Sequence, residues 1–72
     1  MNSASVTAEK ITEWIQSALK ADATSEEFAA TAVGSGFDDS LTGALQQEKT
    51  YEVRFFILDC LGKIQNFFHR IG

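Results

Sequence analysis

The strongest hydrophobic pattern lies in the last third of the chain. Val53, Ile57, Cys60, Ile64, Phe67 and Ile71 recur at spacings of 4, 3, 4, 3 and 4, with Phe56, Leu61 and Phe68 beside them. At about 100° per residue these positions share one broad arc of a helix, so residues 50–70 are predicted to form the long core helix of the domain. A strand over 51–58 competes on the propensity of Tyr, Val, Phe and Ile. Phe55 to Leu58 breaks the alternation a strand needs, and the rest of the chain offers it no good partner.

Three shorter helices are predicted upstream. In residues 8–20, Ala8, Ile11, Trp14, Ile15, Ala18 and Leu19 face one way and Glu9, Glu13, Gln16 and Lys20 the other. Thr7 is placed to cap this helix, and Val6 to meet Ile11 as a hydrophobic staple. Thr24-Ser25-Glu26-Glu27 has the form of a capping box, with Ala23 and Phe28 at the staple positions, and opens a helix over 25–33. Its alanines permit close approach of a neighbour, and Gly34 stands where a left-handed C′ residue belongs. Asp38, Asp39 and Ser40 offer alternative N-caps for a helix over 39–48, which Gly43 weakens by about 1 kcal/mol relative to alanine. Thr50 suits either a new N-cap or a helix interior, so the pattern leaves open whether 39–48 runs on into 50–70. The fold class expected is all-α, a small three- or four-helix bundle with a long C-terminal core helix. Trp14, Ile57, Cys60, Ile64 and Phe67 are its predicted core. Residues 1–72 form a single domain, with 1–6 expected to be a disordered tail.

The long helix carries a second stripe. Tyr51, Phe55, Leu58, Gly62, Gln65 and His69 repeat the 4, 3, 4, 3, 4 spacing and lie about 140° to 180° around the helix from the first. A domain this short readily buries one face of its longest helix. Covering Phe55 and Leu58 as well requires either that the helix be surrounded by its own bundle or that another chain dock there. Gly62, central on the stripe, permits close backbone approach.

Composition and charge narrow the function. With 72 residues, 44% hydrophobic, 22% charged and no proline, the chain makes one foldable domain and no more. Residues 1–48 hold eight acidic side chains against Lys10 and Lys20, a balance of −6. Residues 49–72 hold Lys49, Arg54, Lys63 and Arg70 against Glu52 and Asp59, a balance of +2, for −4 in total. Four cations along one helix are few for a nucleic-acid footprint, so nucleic acid is not the expected partner. The simple expectation is that the basic helix packs in an acidic cradle formed by the rest. No apolar run is long enough to span a membrane, and Met1 to Lys20 has neither the basic nor the apolar region of a signal peptide. With a single cysteine, a cytoplasmic location is the expectation.

Candidate chemistry is sparse. Cys60 and His69, the one cysteine and the one histidine, are nine residues apart, which on a helix puts them on opposite sides. No catalytic residue, metal site or cofactor is therefore expected. The carboxylates at the helix starts suit the macrodipole. Gly34-Ser35-Gly36 is too short for a phosphate-binding loop, and Asp38-Asp39-Ser40 does not continue into calcium-ligand spacing.

Gly36-Phe37-Asp38-Asp39-Ser40-Leu41 resembles the attachment site of acyl carrier proteins, in which an Asp-Ser-Leu at a helix start presents the serine. That resemblance, over six residues, implies phosphopantetheine on Ser40. The leading expectation is a small acidic, non-catalytic adaptor, inhibitor or regulator. It acts through Tyr51, Phe55, Leu58, Gly62 and His69 on a protein partner or a second copy of itself, as a homodimer. An acyl-carrier-like domain and a small nucleic-acid-associated regulator are the alternatives.

Overall fold

Thr7 opens the first helix of the computed structural model, which describes residues 7–71. Its backbone is extended and its hydroxyl accepts the Lys10 N–H at 3.2 Å, so α1 runs over Ala8–Lys20. Ile11 and Ile15 are its fully buried side chains. The staple expected of Val6, and the tail over 1–6, lie outside the described residues. Asp22 closes the helix in the left-handed region at φ 58°, and the Ala23 N–H returns to the Ala18 carbonyl at 2.9 Å. A short polar side chain is among the few that tolerate this conformation outside glycine.

The capping box forms as its residues predict. The Thr24 hydroxyl accepts the Glu27 N–H at 3.1 Å and the Glu27 carboxylate accepts the Thr24 N–H at 3.0 Å. The α2 helix extends over Ser25–Ser35, two residues further than expected, and its left-handed cap is Gly36 at φ 82°, not Gly34. The reason lies one residue on. With Gly36 at C′, the Phe37 N–H bonds the Ala32 carbonyl at 2.9 Å and the Phe37 ring folds back into the core. A cap at Gly34 would put the polar Ser35 in that place, without the apolar contact that completes such a motif. Thr24→Ala, which removes half of the box, is expected to cost about 1 kcal/mol, read as a lower urea midpoint with unchanged m-value.

The third helix, α3, covers Ser40–Gln47, and neither aspartate caps it in the manner expected. Asp39 is already helical, with φ −64° and ψ −29°, and makes no side-chain cap bond. The N–H groups of Ser40 and Leu41 are instead taken by the Phe37 and Asp38 carbonyls at 3.0 and 3.2 Å, a tight turn set by the inward swing of Phe37. The chain then breaks before α4, Tyr51–Ile71, so the two helices are separate. Glu48 is extended at ψ 134°, and its carboxylate accepts the Thr50 N–H and the Thr12 hydroxyl, each at 2.9 Å. Arg54 reaches back to the Leu45 and Glu48 carbonyls, both at 2.9 Å, satisfying the end of α3. Two charged side chains thus make the corner that no glycine or proline marks in the sequence.

The four helices pair crosswise. The most extensive packing is α2 against α4, where the fully buried Ala29 and Ala32 admit close approach, followed by α1 against α3. At about 1.5 Å per residue α4 is about 31 Å long, nearly the whole of a molecule measuring 33 × 29 × 22 Å. Its Val53, Ile57, Cys60 and Ile64 join Ile11, Ile15 and Leu41 in one core. Phe67 is only half-buried at its edge. Trp14, expected inside, is 38% exposed. It lies against Phe37 with ring centroids 5.0 Å apart, at the outer end of an aromatic chain that continues through Phe28 to Phe56. Phe37 takes the interior place that Trp14 was expected to fill.

Candidate functional site

Because α1, α2 and α3 all gather on the core side of α4, its opposite face is left bare. Every position of the second stripe, from Tyr51 to His69, is exposed. Tyr51 is 74% exposed, Phe55 65% and Leu58 49%; Phe68, at 51%, lies about 100° around the helix from this stripe, at the edge of the core arc. The Tyr51 and Phe55 rings stack on each other, centroids 6.1 Å apart and planes within 14°. This organises the patch without hiding it. A side chain added at Gly62 would meet nothing within 4 Å, so no neighbour in the chain requires a glycine there. Glycine inside a helix nonetheless destabilises it by about 1 kcal/mol relative to alanine.

Ion pairing contributes little around this face. The acidic cradle expected around α4 does not form: among the described residues the single ion pair is Lys10–Glu13 at 3.7 Å, within α1. Arg54 is held by backbone carbonyls and so is withdrawn from any cationic surface. Asp59 accepts a short hydrogen bond from the Ser25 hydroxyl, which ties the start of α2 to the middle of α4. The Cys60 thiol donates to the Ser25 carbonyl at 3.5 Å, at the same junction.

The other candidates do not assemble a reactive centre. Cys60 is fully buried and His69 is exposed, as their placement on opposite sides of α4 requires. Burial pushes the Cys60 thiol up to about 12, with the Asp59 carboxylate adding to the effect. A nucleophilic or metal-binding cysteine needs the opposite shift. A shallow groove of about 500 Å³ between α1 and the end of α3 is lined by Glu9, Glu13 and Glu48. The Glu48 carboxyl is held below its usual range by the Thr50 N–H, with the Thr12 hydroxyl adding to that, so its role is the corner already described. No group of three or more His, Cys, Asp or Glu side chains among the described residues is arranged to hold a metal ion. Ser40 is the first residue of α3 and half-buried, with Leu41 after it fully buried. A mainly apolar groove of about 330 Å³ runs along Trp14, Phe28, Thr31, Ser35 and Phe37.

Sequence reasoning found the stripe by its periodicity. It missed the Trp14 groove, whose signal was the apolar residue following Gly36. No helix among the described residues is long and apolar enough to cross a membrane. No family model, curated protein or solved structure matches this chain.

Proposed function

We propose that this protein is a small acidic, non-catalytic regulator or adaptor of the cytoplasm that works by protein–protein contact through the outer face of α4, and that it self-associates there. The observation that carries this reading is the uncovered run of Tyr51, Phe55 and Leu58 on a helix whose other face is the core. Leaving a large apolar side chain in water rather than burying it is unfavourable by about 1.5–3 kcal/mol. Three such side chains in one patch supply a driving force of several kcal/mol for association, which the lost rotational and translational freedom offsets in part.

The scale of the patch suits a modest homodimer. If a fully covered aromatic side chain buries about 200 Å², the exposed fractions of Tyr51, Phe55 and Leu58 amount to about 380 Å² per copy. Two copies give about 750 Å², which reaches the range of a specific interface only when the flanking residues of the helix pair are added.

Sedimentation tests this reading. Wild-type protein is expected to dimerise with increasing concentration in the micromolar range. Phe55→Glu should sediment as a monomer with undiminished helical circular dichroism, since Phe55 contributes little to the monomer's core. A wild-type monomer at high micromolar concentration, together with unfolding of Phe55→Glu, would mean that the stripe is covered within the chain and that the proposal is wrong.

A further inference from the structure

The stripe is unequal along its length, and that inequality fixes how a second copy can lie on it. Its N-terminal half is bulky, with Tyr51, Phe55 and Leu58, and its C-terminal half is small or polar, with Gly62, Gln65 and His69. All six are exposed. Resting on the self-association proposed above, we infer that two α4 helices pair antiparallel about a two-fold axis level with residue 60. Leu58 then sits over Gly62 of the other copy, Phe55 over Gln65 and Tyr51 beside His69.

The complementary sizes along the seam select this arrangement over the parallel one. The 4, 3, 4, 3, 4 spacing is the repeat that keeps one seam facing a partner helix over its full length. Antiparallel pairing then sets each bulky residue against a small or polar one, whereas parallel pairing crowds both sets of bulky residues at one end and leaves a gap at Gly62. The space around Gly62 is empty in the monomer, so the room its missing side chain provides is used only if another chain enters it. The helix dipoles also oppose one another in the antiparallel pair. Along one edge of the seam Leu61 meets its own copy near the axis. Along the other edge the two Asp59 carboxylates, each holding Ser25 of its own copy, flank the axis, so added salt should tighten the dimer by screening them.

A side-chain exchange across the seam distinguishes the arrangements. In the antiparallel pair Gly62→Leu drives two leucines against each other at both Leu58 contacts and should weaken dimerisation by about tenfold or more. Adding Leu58→Ala in the same chain restores one large and one small residue at each contact, and should bring the dissociation constant back to within about threefold of wild type. Neither position is part of the core, so circular dichroism should show all variants folded. Isotope-filtered NOEs on mixed labelled and unlabelled wild-type protein should connect the Tyr51 ring to His69. Those residues are about 27 Å apart along one helix and can touch only between copies. Tightening by Gly62→Leu would establish parallel pairing and overturn the inference, as would failure of the double variant to recover. A dimer indifferent to every variant would place the interface elsewhere and remove both this inference and the assignment of the face. A wild-type monomer would instead defeat the self-association it rests on.

Discussion

Truncating Ile57 to alanine is expected to lower stability by about 2–5 kcal/mol. Ile57 has no exposed surface and belongs to the core built by Ile11, Ile15, Leu41 and Val53. The loss combines the removed apolar contact with a cavity that the surrounding helices cannot easily close. Their ends are fixed by the Thr24–Glu27 box, the Glu48 corner and the Arg54 bonds to α3. Alanine is the better helix former of the two, so propensity opposes the effect and any loss must come from packing. A domain of 72 residues has only about 4–11 kcal/mol in all, which makes the substitution large enough to leave much of the protein unfolded at 37 °C. Leu58→Ala is the matched control. It lies one residue away and is half-exposed, and it should change the monomer's urea midpoint little. Equal midpoints for wild type and Ile57→Ala would show that the 53–57–60–64 stripe is not the core.

The long-range organisation was readable because it rests on period alone. A stripe repeated over five turns of α4 has one geometric solution, and the same arithmetic that made Ile57 and Cys60 interior placed Phe55 and Leu58 opposite them. The short upstream elements depend on local chemistry that several residues can supply. Gly34 and Gly36 both permit a left-handed cap, and the choice between them is made by Phe37, whose ring gains a buried position only if Gly36 turns the chain. That choice also displaces Trp14: Phe37 and Phe28 fill the interior at this corner, and Trp14 packs on the outer side of Phe37.

The boundary between α3 and α4 was open for a related reason. A break without glycine or proline has to be held by side chains, and Arg54 does so through the nearby Leu45 and Glu48 carbonyls while Glu48 also reaches across the chain. Thr12 is 36 residues from Glu48, a separation no local pattern reveals. The expectation of an acidic cradle failed because it treated charge as a sum over segments. Arg54 bonds carbonyl groups and Asp59 bonds a serine, so two of the charges on α4 are met by neutral partners of its own chain. The exposure of the second stripe depended on these details too: only when three short helices are seen to share one side of α4 does its other side become surface.

Cys60 provides a test of the core that uses pH. Its thiol is pushed up from 9.0 to about 12 by burial first and by the Asp59 carboxylate second, so the folded protein holds this proton where the unfolded chain releases it. A raised thiol value means that the folded state binds more protons, and the stability it contributes is fully present below pH 9 and lost as pH climbs toward 12. The slope is at most about 1.4 kcal/mol per pH unit, reaching about 2 kcal/mol at pH 10.5. This is an upper bound, because in so thin a domain water lies a single side chain away. Other groups titrate above pH 9, so the quantity to measure is the difference in urea stability between wild type and Cys60→Ala. At pH 7 wild type should be the more stable, by the packing of its sulfur. By pH 10.5 that advantage should have shrunk or reversed. The same burial should make native Cys60 slow to label with a thiol reagent at pH 8 and fast in denaturant, since the reactive species is the thiolate. Native labelling at the rate of a free thiol, with a stability difference independent of pH, would put Cys60 at the surface. It would also rotate α4 about its axis, carrying the stripe of Tyr51, Phe55 and Leu58 inward.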